Sequence, residues 1–345
     1  MKKVFLLALI TVFTASFLLS MDINHYGSAR TGVWYEMENE DWSGSGESEL
    51  DFNSYFQGNS HFGVRLQEGN LSGKFEIGAG GSIRMLYGRL KMDGWSLFVG
   101  KDFSNIRMAS KQVYGSDLFL IGWGALDEGL KSQVRFELDN GLYVSLMSPE
   151  TFDAVLASQA KKALIPKANI GYKTKFGDNI DFHGSVGVNY YNYDKNYGPI
   201  EEAVLAYVAG VLFDFDLDPM AIRLHANFGQ NTGNYGITSV NLNRAVYNAV
   251  KDEIENVTTL GGFGDFAYKM SDKAQVVAGV GFTSADYEGY DNADTAMAFY
   301  LQMPWKFNKA LSLTPEIGML NHMKDGYDYD EGSMMYFGTQ LRLDF

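Results

Sequence analysis

Apolar and polar residues alternate along most of this chain. In the last twelve residues, Met335, Phe337, Leu341, Leu343 and Phe345 take one face of an extended segment, interrupted only by Thr339. Tyr336, Gly338, Gln340, Arg342 and Asp344 take the other. Side chains of a strand alternate between faces, so this segment is an apolar wall backed by a polar one. The same dyad recurs at 61–66, 74–77, 133–138, 169–174, 222–228 and 311–317. A helix would need apolar spacings of three and four instead. Each run suits a tilted strand of about 9–11 residues, the length that crosses a bilayer.

Turn chemistry divides these runs. Short turns of Asn, Asp and Gly type fall at 68–70, 93–94, 139–141, 177–179, 216–219, 271–273 and 308–309. Between them lie longer connections at 38–48, 102–130, 149–166, 193–201, 231–257, 286–294 and 321–333, with 78–81 the short exception. The rhythm predicts an all-β protein, a transmembrane antiparallel barrel of about sixteen strands with short turns at one end and long loops at the other. The strands centre near residues 32, 60, 75, 87, 97, 134, 144, 171, 186, 208, 224, 264, 279, 301, 315 and 339. Residues 203–213 are apolar on both faces, which predicts a strand facing a neighbouring subunit or covered from inside by a loop. Leu242, Val246, Val250 and Ile254 have helical spacing and predict a short helix over 241–255 at the mouth.

Composition narrows the class. A mean hydropathy of −0.16 is too polar for a helical membrane protein. The long apolar run Val4 to Leu19 follows Lys2 and Lys3, which predicts a signal peptide over 1–20 and a mature chain beginning within 16–25. Residues 21–345 then form a single barrel domain. With no cysteine there is no disulfide framework and no soft-metal site. A net charge of −14 argues against nucleic acid as a partner. The 21 Tyr, 24 Phe and 38 Gly suit aromatic girdles and a close-packed wall.

Residues 59–65, the acidic turn at 68–70, residues 87–90 and 98–101, and the terminal Phe345 together resemble the general bacterial outer-membrane porin family. The resemblance implies a homotrimer of sixteen-stranded barrels in the outer membrane, exported by the signal peptide, passing small hydrophilic solutes by diffusion. It also implies that the barrel-assembly machinery reads the last strand and Phe345. The loop after the fifth strand, 102–130, would fold inward and narrow the bore. Its acids Asp102, Asp117, Asp127 and Glu128 would face a basic wall. The family's frequent Pro-Glu-Phe-Gly-Gly signature is missing here, and residues 114–124 are apolar instead.

Strand parity supplies the wall. If Phe62, Val64 and Leu66 face lipid, then Arg65 faces the lumen, and the same logic turns Lys74, Arg135, Lys173, Arg223 and Arg342 inward with Glu76, Glu137 and Glu316. A charge on the lipid face would cost about 2–4 kcal/mol near the midplane. Opposed rings of charge order water and sort solutes. The excess of acids argues for a weak cation preference. The acidic, tyrosine-rich loops 286–294 and 324–332 lack calcium-loop spacing and predict solvated surface. His25, His61, His183, His225 and His322 show no metal spacing, and the glycine runs 78–81 and 261–264 precede no helix, so no cofactor is expected. Three other readings stay open: a plugged adhesin barrel, a sugar channel lined by Tyr143 and Tyr191, and an outer-membrane hydrolase.

Overall fold

The alternating runs become strands because each pairs with its sequence neighbour through a short connection, and the last closes on the first. The computed structural model describes residues 21–150, 161–193, 202–248 and 250–345. The predicted signal peptide lies outside these residues. Sixteen antiparallel strands form one closed barrel. They are β1 (Asp22–Glu38), β2 (Glu49–Phe56 continued by His61–Glu68), β3 (Leu71–Gly78), β4 (Ile83–Met92), β5 (Trp95–Phe103), β6 (Leu130–Leu138), β7 (Leu142–Met147) and β8 (Lys167–Phe176). The second half comprises β9 (Ile180–Tyr193), β10 (Ala203–Leu217), β11 (Met220–Gln230), β12 (Val257–Lys269), β13 (Gln275–Tyr287), β14 (Asp294–Gln302), β15 (Leu311–Lys324) and β16 (Ser333–Asp344). Fifteen of the expected centres fall inside these strands, and the one at residue 60 falls in the break between the two halves of β2.

Closure is antiparallel along the whole seam, from Ser28 opposite Asp344 to Glu38 opposite Met334. Gly27 and Phe345 then exchange backbone hydrogen bonds of 2.7 and 3.1 Å, fastening the terminus to the first strand. Among the described residues the membrane-crossing strands are each paired on both sides, as hydrocarbon requires, and the segment Glu49–Phe56 pairs with β1 alone. Strand β2 is broken at residues 57–60, and its two halves pair with the two halves of β1.

The outer face is apolar and exposed. Phe337, Leu341 and Leu343 on β16 and Phe266 and Leu260 on β12 all point outward. An apolar belt around a closed barrel is a lipid-facing surface. Phe337 stacks on Tyr35 with ring centres 5.0 Å apart, within that belt. Phe337→Arg should therefore cost about 2–4 kcal/mol of barrel stability. Denaturant unfolding in lipid vesicles measures this, and an unchanged midpoint would remove the lipid assignment of this face.

The helix expected over 241–255 is corrected. Residues Val246–Asn248 and Glu253–Glu255 form a small hairpin, and Val250 at its tip is 96 % exposed. The helical spacing was accidental. Leu242 and Val246 pack on Val257 and Tyr287, while Asn248 caps the turn by accepting from the Val250 and Lys251 amides. The one helical turn nearby is Thr232–Tyr235, wholly buried.

A charged chamber between an inward loop and the first strands

Residues 104–129, between β5 and β6, fold into the barrel and divide it unequally. One side of the loop is apolar. Leu120, Trp123 and Ala125 are buried against Trp34, Phe263, Tyr300, Leu320 and Tyr336, which face inward from the strands across the lumen. The 114–124 segment that departs from the porin signature is thus a hydrophobic core built inside a barrel. Two wall carboxylates catch the loop backbone. Glu316 accepts the Val113 and Tyr114 amides at 2.8 and 3.0 Å and the Tyr336 hydroxyl at 2.9 Å. Asp265 accepts the Lys111 amide at 3.1 Å and the Tyr300 hydroxyl at 2.7 Å. These carboxyl oxygens satisfy loop amides that would otherwise be buried unpaired.

The same loop explains the two-faced apolar strand. On β10, Ala206 and Val208 point inward and pack on Ile106, Met108 and Leu126 of the loop, together with Tyr235 and Ile237 from the connection after β11. The cover comes from inside.

On the opposite side lies an open space, a cavity of about 760 Å³ between the loop and β1–β5 and β16. Six basic residues line it, Arg30, Arg65, Lys74, Arg84, Arg107 and Arg342, with four acids, Glu76, Asp117, Asp127 and Asp344. Every acid is held. Glu76 accepts from the Tyr26 hydroxyl at 2.8 Å and pairs with Lys74 at 3.2 Å and Arg84 at 2.9 Å. Asp127 pairs with Arg107 at 3.1 Å, and burial nevertheless pushes its carboxyl above the usual range. Asp344 pairs with Arg342 at 2.8 Å. Asp117, at the loop tip, is clamped by Arg30, Asn59 and Gln340. Arg65 differs: its guanidinium lies 4.7 Å from the Tyr26 ring centre and has no carboxylate partner among the described residues. The chamber carries a net positive charge and one free guanidinium.

All six predicted basic residues point inward, but they do two jobs. Arg65, Lys74 and Arg342 line the chamber. Arg135 sits beside Glu137 with its guanidinium 4.4 Å from the Phe98 ring. Lys173 donates to Asn105 at 3.1 Å, and Arg223 pairs with Asp214 and donates to the Ala109 carbonyl at 3.1 Å. Those three brace the wall and the loop.

The four predicted acids also divide. Asp117 and Asp127 line the chamber. Asp102 belongs to the end of β5 rather than the loop. Glu128 is sealed in a wholly buried pair with Lys167 at 2.6 Å. Tyr143 and Tyr191 face inward but are buried, bonded to His183 and Asn234 and away from the chamber.

Parity missed Arg84 for a physical reason. A register shift sets Glu76 opposite Met85 and Ile77 opposite Ile83. Arg84 is the extra residue of this bulge, and a bulge re-aims a side chain that simple alternation would place outside. Arg30 was legible, since it shares the face of Trp34, but no charged partner nearby in sequence marks it.

No family model matches this sequence, and no curated protein matches it. Solved structures do. The outer membrane channel DcaP of Acinetobacter baumannii superposes with a TM-score of 0.74 at 18 % identity, over 95 % of this chain and 98 % of that one. The trimer form of OmpT, an outer membrane protein of Vibrio cholerae, matches with a TM-score of 0.60 at 16 % identity, over 94 % of this chain and all of that one. An anion-selective porin from Comamonas acidovorans matches with a TM-score of 0.56 at 14 % identity, over 94 % and 100 %. At these identities the likeness is one of fold: the chain folds as a bacterial outer-membrane porin, a closed sixteen-stranded transmembrane barrel.

Proposed function

We propose that the protein is an outer-membrane porin, a water-filled channel for passive diffusion of small hydrophilic solutes and ions. The observation that carries this reading is the charged chamber of about 760 Å³ inside a barrel whose outer wall is apolar. Its long loops face outward from the cell and its short turns face the periplasm. A homotrimer is the proposed assembly, supported by the trimeric form of one structural neighbour and by the exposed apolar side chains Leu50, Phe52 and Phe56 on the short first segment of β2. Phe345, strapped to Gly27, is the proposed signal to the barrel-assembly machinery. The inward-folded loop acts as the constriction, and the reading needs no catalytic group.

The chain's excess of acids favours cations in general, but selectivity is set where the path is narrow. There bases outnumber acids, so the chamber favours anions. Arg65 dominates because its charge is not already neutralised. Two charges 4 Å apart in water interact by about 1 kcal/mol, so Arg65→Glu should change the anion-to-cation permeability ratio roughly several-fold. Reversal potentials across a KCl gradient in planar bilayers check this. Stable conductance steps with a chloride-side reversal potential, moved toward potassium by R65E, are expected. A cation-selective wild type would overturn the sign.

The apolar packing of Leu120 and Trp123 against the far wall favours a second reading, a plugged structural barrel. A silent bilayer with correctly folded protein would select it.

A further inference from the structure

Charge around the short-turn rim is segregated. The turns at 68–70, 93–94, 139–141, 177–179 and 216–219 each carry at least one acid. Basic side chains beside them are neutralised, Lys91 by Asp139 and Lys175 by Asp181. The β12–β13 turn carries Asp272 as well, whereas the β14–β15 connection, 303–310, carries lysines and no acid. Lys273, Lys306 and Lys309 line one cavity of about 710 Å³ there, together with Asp272. Among the described residues none of the three has a carboxylate partner, since Asp272 pairs with Lys269 instead.

Register fixes the side of the wall on which this cavity opens. Lys306 lies opposite Ser312, and Ser312 opposite Arg342. Directly opposed residues share a face, and Arg342 lines the lumen chamber. Lys306 therefore points to the mouth, whereas its neighbours Trp305 and Phe307 lie on the exposed outer side. Arg342 and Asp344 belong to both cavities, so the rim site continues directly from the chamber.

We propose that this rim is a binding site for multiply charged anions bearing phosphate or carboxylate groups, placed at the periplasmic exit of the lumen. A single exposed ion pair contributes little, whereas one ligand that engages several lysines at once sums their attractions. Monovalent ions are passed and multivalent anions are held. The location at the exit rests on the porin reading; the site itself does not.

The test uses the full-length protein and inorganic pyrophosphate. Pyrophosphate should bind the detergent-solubilised wild type in calorimetry, and the triple variant K273Q/K306Q/K309Q should bind at least about tenfold more weakly. These are exposed turn residues, so the variant should keep the wild-type heat-modifiable migration. In bilayers, pyrophosphate should reduce conductance from one side only. The block should fade between 0.1 and 1 M KCl as the screening length falls from about 10 to about 3 Å. Equal binding by wild type and triple variant overturns the proposal. So does binding seen only to vesicles of anionic phospholipid, which would assign the lysines to lipid headgroups. A wild type that binds pyrophosphate but opens no channel supports the site while removing the porin reading.

Discussion

Lys167→Met should destabilise the protein by about 3–5 kcal/mol, the cost of leaving a buried carboxylate without its cation. Lys167 and Glu128 both have side chains at 0 % exposure, with nitrogen and oxygen 2.6 Å apart. The ammonium also donates to the Tyr235 carbonyl at 3.0 Å, and Glu128 accepts from Ser104. One side chain thus joins β8, the end of the inward loop and the buried turn after β11. The double variant K167M/E128M should recover most of the loss, because it removes the stranded charge as well as the pair. Thermal unfolding in detergent reports the stability, and protease cleavage within 104–129 reports release of the loop. If K167M melts as wild type does, the pair does not anchor the loop.

The second large effect is steric and is read in current. Gly281 faces inward from β13 where the loop crosses the lumen. A Cβ there would lie 2.1 Å from the Trp123 carbonyl oxygen and 3.1 Å from a Leu120 methyl carbon. The first contact is with backbone and cannot be relieved by a rotamer change. Gly124, at φ +112°, approaches from the loop side, its own Cβ position 2.2 Å from the Gly262 carbonyl. Gly281→Val should push the loop off the far wall. A barrel of sixteen strands is wide enough for an aqueous channel once that wall is uncovered, so single-channel conductance should rise at least about twofold. Leu120→Ala with Trp123→Ala instead removes the loop's side-chain packing on that wall without adding bulk, and should raise conductance in the same direction. Unchanged conductance in both variants would mean the loop is held elsewhere.

Alternation alone made the barrel readable. Each strand of a single-layer closed sheet has one apolar and one polar face, so parity carries both the topology and the direction of each charge. Parity places Arg65, Lys74, Arg135, Lys173, Arg223 and Arg342 inward. It fails where alternation is broken, as at Arg84 in the β3–β4 bulge. It fails again in the long loops, where local spacing competes with tertiary contacts. The helical spacing at 242–254 describes a hairpin because Asn248 shapes a turn and Leu242 and Val246 find partners on the barrel wall.

Which inward charges meet solvent was not in the sequence. The notable apolarity of 114–124 marked an unusual loop, but not the wall it would cover. Packing on β12–β16 displaces the open space toward β1–β5, and that displacement separates Arg65, with its free charge, from Arg223, which braces the loop. It also sets Asp127 in the chamber and the adjacent Glu128 in a sealed pair. The sequence by itself determined the strand count, the closure of β16 on β1 and the two faces of the wall, because these follow from a period of two and the lengths between turns. Only the tertiary structure decided where the lumen is filled and where it is open, because that depends on contacts between residues more than a hundred positions apart.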